Sequence, residues 1–382
     1  MAGALMQLVA YGAQDVYLTG NPQITFFKVV YRRHTNFAME AMEQTLNGTS
    51  DFNNKVTCRV SRNGDLMGPC YLEATLTNSE ANCNRVGFQL IKECELRIGG
   101  QNIDQQSGKW MHLWTELTCT TDQKALLDKL VGPKNADGAA GTSSDDITVH
   151  TPLQFFFCRN PGLALPLIAL QYHEVEIIIE FNTKAECCAD GSAGTQTMTN
   201  VSLWVDYFFL DTEERKNFAQ NPHEYLIETV QTQESSLTAS TTNSVRLVFN
   251  HPTKELIWVS EKATQNDALS DFAIGSAASH CLSAMKLKLN GQDRMASRGG
   301  DYYNYVQPYQ HHTGKPDMGI YCYSFGLKPE DHQPSGTCNF SRIDNANLDV
   351  TAAATVTTIT VYAHSYNVLR VASGMGGRAY SY

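Results

Sequence analysis

Apolar and polar side chains alternate with a period of two along much of this chain, most clearly between Thr151 and Phe181. The alternating apolar positions there are Leu153, Phe155, Phe157, Val175, Ile177 and Ile179. Asn160-Pro161-Gly162 separates the two runs and is a strong turn signal. Since a period of two is typical of β-strands with one buried face, the stretch predicts two adjacent strands joined by a turn.

The same layout recurs in residues 321–350. There Pro334-Ser335-Gly336 divides a second pair of alternating runs, whose apolar positions are Tyr321, Tyr323, Phe325, Ile343, Leu348 and Val350. The chain therefore contains one all-β unit twice.

Three further matches occur in the same order in both halves. The matched pairs are 95–102 with 286–293, 175–179 with 346–350, and 203–205 with 359–361. The difference in residue number between matched positions decreases along the chain, so the second copy has shorter loops. Ordered internal matches of this kind predict a duplicated β-sandwich.

Composition limits the classes of protein to which the chain can belong. With 382 residues, the chain is longer than a single hydrophobic core usually accommodates, and it is long enough for two domains. Charged residues make up only 18%, which favours extensive contact with other protein, and the net charge of −10 argues against direct binding of nucleic acid. The eleven cysteines include no C-x-x-C pair, so we expect reduced thiols. We see no secretory signal and no membrane span.

We predict an N-terminal arm at 1–20, a first domain at 21–211, a linker at 212–224 and a second domain with a C-terminal tail at 225–382. Asn21-Pro22 predicts a short helix that continues to about Tyr31. Helical spacing in residues 110–117 and 122–131 predicts a helical insertion between strands. Exposed loops are expected at 132–146 and 185–200, and a flexible tail at Ser373–Gly377.

No constellation of residues predicts catalysis, a cofactor or a metal site. His311-His312 lies in a polar sequence, where we expect a solvated loop. His173-Glu174 begins a strand, and alternation sends its two side chains to opposite faces. Adjacent Cys187-Cys188 are interpreted as incidental. We therefore predict that the protein is not an enzyme and carries no cofactor.

Three Asn-x-Ser/Thr triplets are candidate glycosylation sites, at Asn47, Asn200 and Asn339. The triplet is frequent by chance, and without a signal peptide the usual pathway does not reach it.

Several long blocks resemble a known family. QLVAYGAQDVYLTGNPQITFFKVVYRRHTNFA (7–38) is similar to the amino terminus of the major capsid proteins of large icosahedral double-stranded DNA viruses, particularly those of algal viruses. The resemblance continues in order through NPGLALPLIALQYHEVE (160–176), WVDYFFLDTEER (204–215), PHEYLIE (222–228), QPSGTCNFSRIDNANL (333–348) and NVLRVASGMGG (367–377).

The resemblance implies an all-β double jelly roll: two eight-stranded antiparallel sandwiches in tandem, with short helical insertions. It further implies homotrimeric, pseudo-hexagonal capsomers in an icosahedral virion shell, assembled in the host cytoplasm. The implied partners are neighbouring capsomers, minor capsid proteins beneath the shell and an internal viral membrane. The arm would lie near the capsomer base.

Two other functions stay open at this point. A minor capsid paralogue would share the fold and differ in copy number. A jelly-roll lectin would bind glycans through an aromatic site, for which Tyr302, Tyr303, Tyr305 and Tyr309 are the candidates, although packing at a strand edge explains them more simply.

Overall fold

The computed structural model describes residues 2–77, 84–133, 146–188, 196–262, 280–353 and 356–381. Two compact units are present, Met1–Asn36 and Phe37–Tyr382. The first unit contains helices α1 (Ala2–Val9) and α2 (Val16–Thr19). The helix predicted from Asn21-Pro22 is wrong, since residues 22–36 form neither helix nor strand. The β-branched and aromatic residues of ITFFKVVY are poor helix formers, and their exposed side chains gain no packing that would compensate.

In the described part of the second unit, the chain first forms nine antiparallel strands in two sheets. They are β1 (Phe37–Gln44), β2 (Leu46–Asn47), β3 (Lys55–Arg59), β4 (Leu66–Thr77), β5 (Ile91–Ile98), β6 (Gln101–Gln106), β7 (Ile147–Pro152), β8 (Val175–Phe181) and β9 (Thr197–Leu210). One sheet has the order β1-β9-β4-β7 and the other β2-β3-β8-β5-β6. Their inward side chains share one core. This strand order is that of a jelly roll.

Short helices interrupt the first jelly roll. They are α3 (Val86–Gln89), α4 (Gly108–Thr118), α5 (Thr121–Val131), α6 (Phe156–Arg159), a 3₁₀ turn (Pro161–Leu163) and α7 (Lys184–Cys187). The predicted helical insertion is confirmed in α4 and α5. The Ser107 hydroxyl caps α4 by accepting from the Trp110 N–H, and Thr120 and Gln123 form a capping box on α5. Of the expected loops, residues 134–145 and 189–195 lie outside the described residues.

The two strands predicted between Thr151 and Phe181 are not adjacent. β7 pairs with β4, whereas β8 pairs with β3 and β5 in the opposite sheet. Phe155 lies directly before α6, and Phe156 and Phe157 lie within it, so these residues are not a strand. All three rings are buried, because this segment crosses between the sheets and has no solvent-facing side.

Helix α8 (Thr212–Gln220) connects to a second set of strands. These are β10 (His223–Ser236), β11 (Thr242–Leu247), β12 (Pro252–Lys262), β13 (Leu282–Leu289), β14 (Gln292–Asp293), β15 (Arg298–Gly299), β16 (Ile320–Ser324), β17 (Cys338–Asn339), β18 (Ala346–Ala352), β19 (Val356–Ala372) and β20 (Met375–Arg378). The sheets have the orders β10-β19-β12-β16 and β11-β18-β13-β14. A π-helix (Tyr302–Val306), α9 (Gln307–His311) and a 3₁₀ turn (Phe340–Arg342) complete this part. The described residues thus form a double jelly roll.

Strand register confirms the duplication seen in the sequence. Ile98 pairs with Val175 in the first jelly roll, and the matched residues Leu289 and Ala346 pair in the second. A tight hairpin turn directly follows Ile98 and Leu289, at Gly99-Gly100 and at Asn290-Gly291, where both central residues have positive φ.

The expected flexible tail at Ser373–Gly377 is wrong. Ser373 and Gly374 form a hairpin turn with φ of 54° and 78°, and β20 pairs back onto β19. The Gly374 carbonyl accepts from the Tyr172 N–H at 2.9 Å, so the hairpin is fastened to the first jelly roll. Glycine supplies the turn here and not flexibility.

Within the described ranges, no helix combines the length and the hydropathy needed to cross a bilayer.

Gly108→Ala tests how α4 is positioned. A Cβ at Gly108 would lie 2.0 Å from the Phe88 carbonyl oxygen and 2.5 Å from that of Ile91, both backbone atoms. We expect a loss of about 3 kcal/mol in the free energy of unfolding, because α4 must move away from its core contacts. The matched control is Gly299→Ala, whose new Cβ would make only an ordinary 3.7 Å contact with Ser283. Calorimetry that shows equal unfolding midpoints for the two variants would contradict this account.

Candidate functional site

The two jelly rolls meet where α4 packs on the outer face of the sheet β10-β19-β12-β16. One apolar cluster joins them, composed of Trp110, Leu113, Trp114 and Leu117 from α4 and Val230, Ile257, Val259, Ile320, Cys322 and Tyr362 from the sheet. Each of these side chains is nearly or completely buried. The helical insertion of the first jelly roll is therefore the apolar half of an interdomain joint.

Aromatic rings and one arginine extend this joint toward α6. The His364 ring lies 4.8 Å from Trp114 and 5.7 Å from Trp110, centroid to centroid. The Arg159 guanidinium lies over the Trp114 ring, 4.6 Å from its centroid. This geometry is a cation–π contact in a largely desolvated place, where it is strongest.

A chain of buried charges lies next to the aromatic rings, on β10, β12 and β19. Glu228 contacts Lys254 at 2.7 Å, His364 Nε2 at 3.1 Å and Arg159 at 3.3 Å. Glu255 contacts the other ring nitrogen of His364 at 3.2 Å. His364 therefore bridges two carboxylates.

His312 continues this chain to the surface. Its Nε2 lies 2.9 Å from Glu255 Oε2, and its Nδ1 lies 3.1 Å from Glu330 Oε1. The His312 side chain is fully buried. The expectation that His311-His312 lies in a solvated loop is therefore wrong for His312. A buried carboxylate at Glu255 requires a partner, which the polar loop supplies.

Neighbouring groups hold Glu228, Glu255 and His312 in their charged forms. Burial acts to raise the pKa of Glu255, but the contacts with His312 and His364 outweigh it and hold that pKa well below its usual range. Burial likewise opposes ionisation of Glu228, and Arg159, His332 and His364 together lower its pKa strongly. Burial acts to lower the pKa of His312, whereas Glu255 and hydrogen bonds with neighbours raise it well above its ordinary value.

Backbone contacts close the joint at both ends. The Gly314 N–H donates to the Leu117 carbonyl at 2.7 Å, at the carboxyl end of α4. At the other end the buried Asp104 carboxylate accepts from the Val230 N–H at 3.0 Å. The edge strand β10 is thereby capped by a side chain of the first jelly roll.

A cleft of about 450 Å³ opens beside the joint, next to Arg159 and Trp114. Glu228, Glu330 and His332 line its polar wall. Among the described residues, no group of three or more His, Cys, Asp or Glu side chains is arranged to hold a metal ion.

Two exposed surfaces resemble the two halves of the joint but are uncovered. The first, here called the donor surface, lies on the helical insertion of the second jelly roll and comprises Tyr305, Val306 and Tyr309, which is 90% exposed. The second, the acceptor surface, lies on the sheet β1-β9-β4-β7. It includes Phe37 and Met39, which are 53% and 56% exposed.

The three candidate glycosylation sites are exposed and lie apart in the fold. Asn47 is in β2, and Asn200 is at a positive φ of 51° in β9. Asn339 uses its side chain to accept from the Ser341 N–H and so caps a 3₁₀ turn. Exposure is necessary for modification, and the three sites stay predictions.

The other residues considered from sequence have structural contacts. His173 contacts the backbone of Gly376 at 2.9 Å, and Cys187 and Cys188 are buried. The tyrosine group is divided: Tyr303 is buried against Trp258, while Tyr305 and Tyr309 face outward from a helical segment and not from a strand edge.

Sequence reasoning missed the buried charge chain. A signal was present, since Glu228, Glu255 and His364 each interrupt an apolar strand sequence. Alternation alone places such residues on the outward face, which is ordinarily solvated. Only the packing of α4 makes that face an interior.

Comparisons with known proteins agree with this architecture. Residues 25–211 match the family described as major capsid protein N-terminus, and residues 214–377 match large eukaryotic DNA virus major capsid protein. The chain is 49% identical to the major capsid protein of Pyramimonas orientalis virus and 43% identical to that of Paramecium bursaria Chlorella virus 1, each over the full length of both chains. Its structure is similar to a chain of the PBCV-1 virus capsid, with a TM-score of 0.81, 38% identity and coverage of 94% of this chain and all of the other. The Faustovirus major capsid protein shares the fold, with a TM-score of 0.75, 12% identity and coverage of 97% of this chain and 96% of that one.

His312→Gln tests the buried charge chain. We expect it to remove about 3 kcal/mol of stability at pH 6, because Glu255 loses a buried partner. The His312 contribution is complete below the unfolded histidine pKa of about 6.5 and is lost as pH rises through the raised folded value. The glutamate contributions are present above about pH 4.3 and are lost only as pH falls through the lowered folded values.

Thermal unfolding across pH 4–10 measures the His312 effect, because the glutamate contributions stay constant over nearly all of that range. The wild-type midpoint should fall on the alkaline side, and His312→Gln should flatten that fall. His311→Gln is the matched control, because the His311 ring contacts only the Leu327 carbonyl among the hydrogen bonds of the described residues. The same alkaline slope in wild type and His312→Gln would show that His312 does not carry the effect.

Proposed function

Because the chain belongs to the large eukaryotic DNA virus major capsid protein family, we propose that it forms the outer shell of an icosahedral virion as a homotrimeric, pseudo-hexagonal capsomer. The supporting observation within this molecule is that the donor and acceptor surfaces are uncovered counterparts of the joint between its own jelly rolls. A second copy of the chain is the occupant that fits both.

The acceptor surface corresponds to the α4-binding face by strand register. Val205 pairs with Met42, and its sequence match Val361 pairs with Gln233. Three residues earlier on each edge strand lie Met39 and Val230, respectively. Val230 is 4% exposed beneath α4, whereas the equivalent Met39 is 56% exposed.

The central strands agree with this equivalence. Tyr71 pairs with Trp204 in the first jelly roll, and Val259 pairs with Thr360 at the matching place in the second. Val259 is completely buried by the joint, whereas the Tyr71 and Trp204 rings stack in parallel on a half-exposed face. An apolar, aromatic sheet face of this kind marks a protein interface.

The donor surface occupies the place of α4 in the second jelly roll. Both insertions lie between the β-hairpin region and the next strand of the opposite sheet, that is, between β6 and β7 in the first jelly roll and between β15 and β16 in the second. Met111 and Tyr303 turn inward to their own cores. The outward residues of α4 are covered by the sheet β10-β19-β12-β16, whereas Tyr305, Val306 and Tyr309 on the second insertion are exposed.

A donor on one end and an acceptor on the other make a head-to-tail contact, which either closes into a ring or forms a filament. If this contact repeats the internal joint and the ring closes at three chains, six jelly rolls surround one axis. This arrangement accounts for the pseudo-hexagonal outline and for the low content of charged residues.

The remaining roles are proposed from the resemblance to the family. We propose contacts of the capsomer base and of the arm at 1–20 with minor capsid proteins and an internal membrane, assembly in the host cytoplasm, and no catalytic activity or cofactor. A minor capsid paralogue of the same fold would differ in copy number per particle. The glycan-binding alternative has less support, since its tyrosines do not share one face.

The solution mass tests the trimer. Light scattering after size exclusion should give a species near three times 42.3 kDa. An obligate interface of about 2,000 Å² or more makes that species stable before assembly. A well-behaved monomer at micromolar concentration would contradict the stable trimer.

Met39→Glu and Tyr309→Glu test the two surfaces. Each side chain is exposed in one chain, so the fold should be unaffected, but a buried charge at the interface should weaken trimerisation by about 100-fold. Val248→Glu is the matched control: Val248 is 70% exposed and follows β11 at the hairpin end of the second jelly roll, away from the insertion. Intact trimers of both test variants would show that other surfaces hold the trimer.

A further inference from the structure

Two thiols of the first jelly roll are in contact. The sulfur atoms of Cys70 and Cys158 lie 3.5 Å apart, although 88 positions separate the residues in sequence. Cys70 lies in β4 and is buried, and Cys158 lies in α6 and is half-buried. The backbone holds them together, because the Leu153 N–H donates to the Cys70 carbonyl at 3.1 Å just before α6 begins.

We propose that Cys70 and Cys158 form a reversible oxidation site, at which a low-molecular-weight disulfide such as glutathione disulfide converts the thiol pair into an intramolecular disulfide. The contact must shorten from 3.5 Å to about 2.05 Å, which a rotation of the half-buried Cys158 side chain supplies. This inference is independent of the proposed capsid function.

The reaction balances in two exchange steps. The Cys158 thiolate attacks one sulfur of the oxidant, forms a mixed disulfide and releases one small thiolate. The Cys70 thiolate then attacks the Cys158 sulfur, forms the intramolecular bond and releases the second small thiolate. The two cysteines are oxidised, the small disulfide is reduced to two thiols, and both cysteine protons pass to the released thiolates.

The environments of the sulfurs set the order of attack. The hydrogen bond with Cys158 and burial raise the pKa of Cys70 well above its ordinary value. Cys158 is the more accessible thiol and reacts first with a solute. Cys70 is positioned only to resolve the mixed disulfide.

The bond would secure the joint between the jelly rolls. Cys158 precedes Arg159, which contacts Glu228 of the second jelly roll and the Trp114 ring. A disulfide fixes α6 to β4 and closes a long loop in the unfolded chain, which favours the folded state. In a reducing compartment the pair stays open, and in oxidising surroundings it closes.

Peptide mapping tests the site in the full-length protein. The folded protein is treated with glutathione disulfide or with dithiothreitol, and free thiols are then blocked with iodoacetamide. The oxidised sample should yield a peptide linking Cys70 and Cys158, with a mass about 2 Da below the sum of the two reduced peptides. It should also unfold at a higher temperature than the reduced sample.

Cys158→Ser and Cys70→Ser should both abolish the linked peptide and the rise in unfolding temperature. Cys70→Ser should retain a glutathione adduct on Cys158, which a purely structural cysteine pair would not form. Cys338→Ser, which removes another half-buried thiol, is the control and should behave as wild type. Equal alkylation of Cys158 in oxidised and reduced folded protein, or linkage of Cys70 only after denaturation, would overturn the proposal.

Discussion

Burial of α4 between two β-sandwiches is the interaction on which the arrangement of the jelly rolls depends. Its outward residues, led by Trp110 and Trp114, lie on a sheet face that would otherwise meet solvent. Each large side chain removed from water contributes about 1.5 to 3 kcal/mol. The same burial encloses Glu228 and Glu255, whose charges then require His312, His364, Arg159 and Lys254 as partners.

Gene duplication alone does not produce such a joint, because the two copies differ where they meet. The first copy has α4 and α5, whereas the second has a π-helix and a single turn of α-helix. This asymmetry leaves an aromatic donor at one end and an apolar acceptor at the other. A symmetric pair of sandwiches would have two equivalent surfaces, whereas these differ and complement each other. The difference fits a head-to-tail contact between copies of the chain.

The sequence allowed most of the fold to be predicted for a specific reason. Two-residue alternation, the Gly99-Gly100 and Asn290-Gly291 turns and the spacing of α4 are local signals, and each is independent of distant contacts. Predictions that needed distant partners were less accurate. The strands on either side of Asn160 proved to lie in opposite sheets, and the glycine-rich Ser373–Gly377 segment proved to be a docked hairpin.

By itself the sequence determined the fold class and the duplication, and through its resemblance it determined the family. Alternation, turn residues and blocks that resemble a known family are all properties of the linear chain. Only the tertiary structure decided which outward strand faces are interior. Glu255 and His312 are 57 positions apart (255 and 312), and nothing local marks them as partners. Whether a polar residue on an outward face is solvated or buried depends on what packs on that face. That information lies in the contact between α4 and the second sheet.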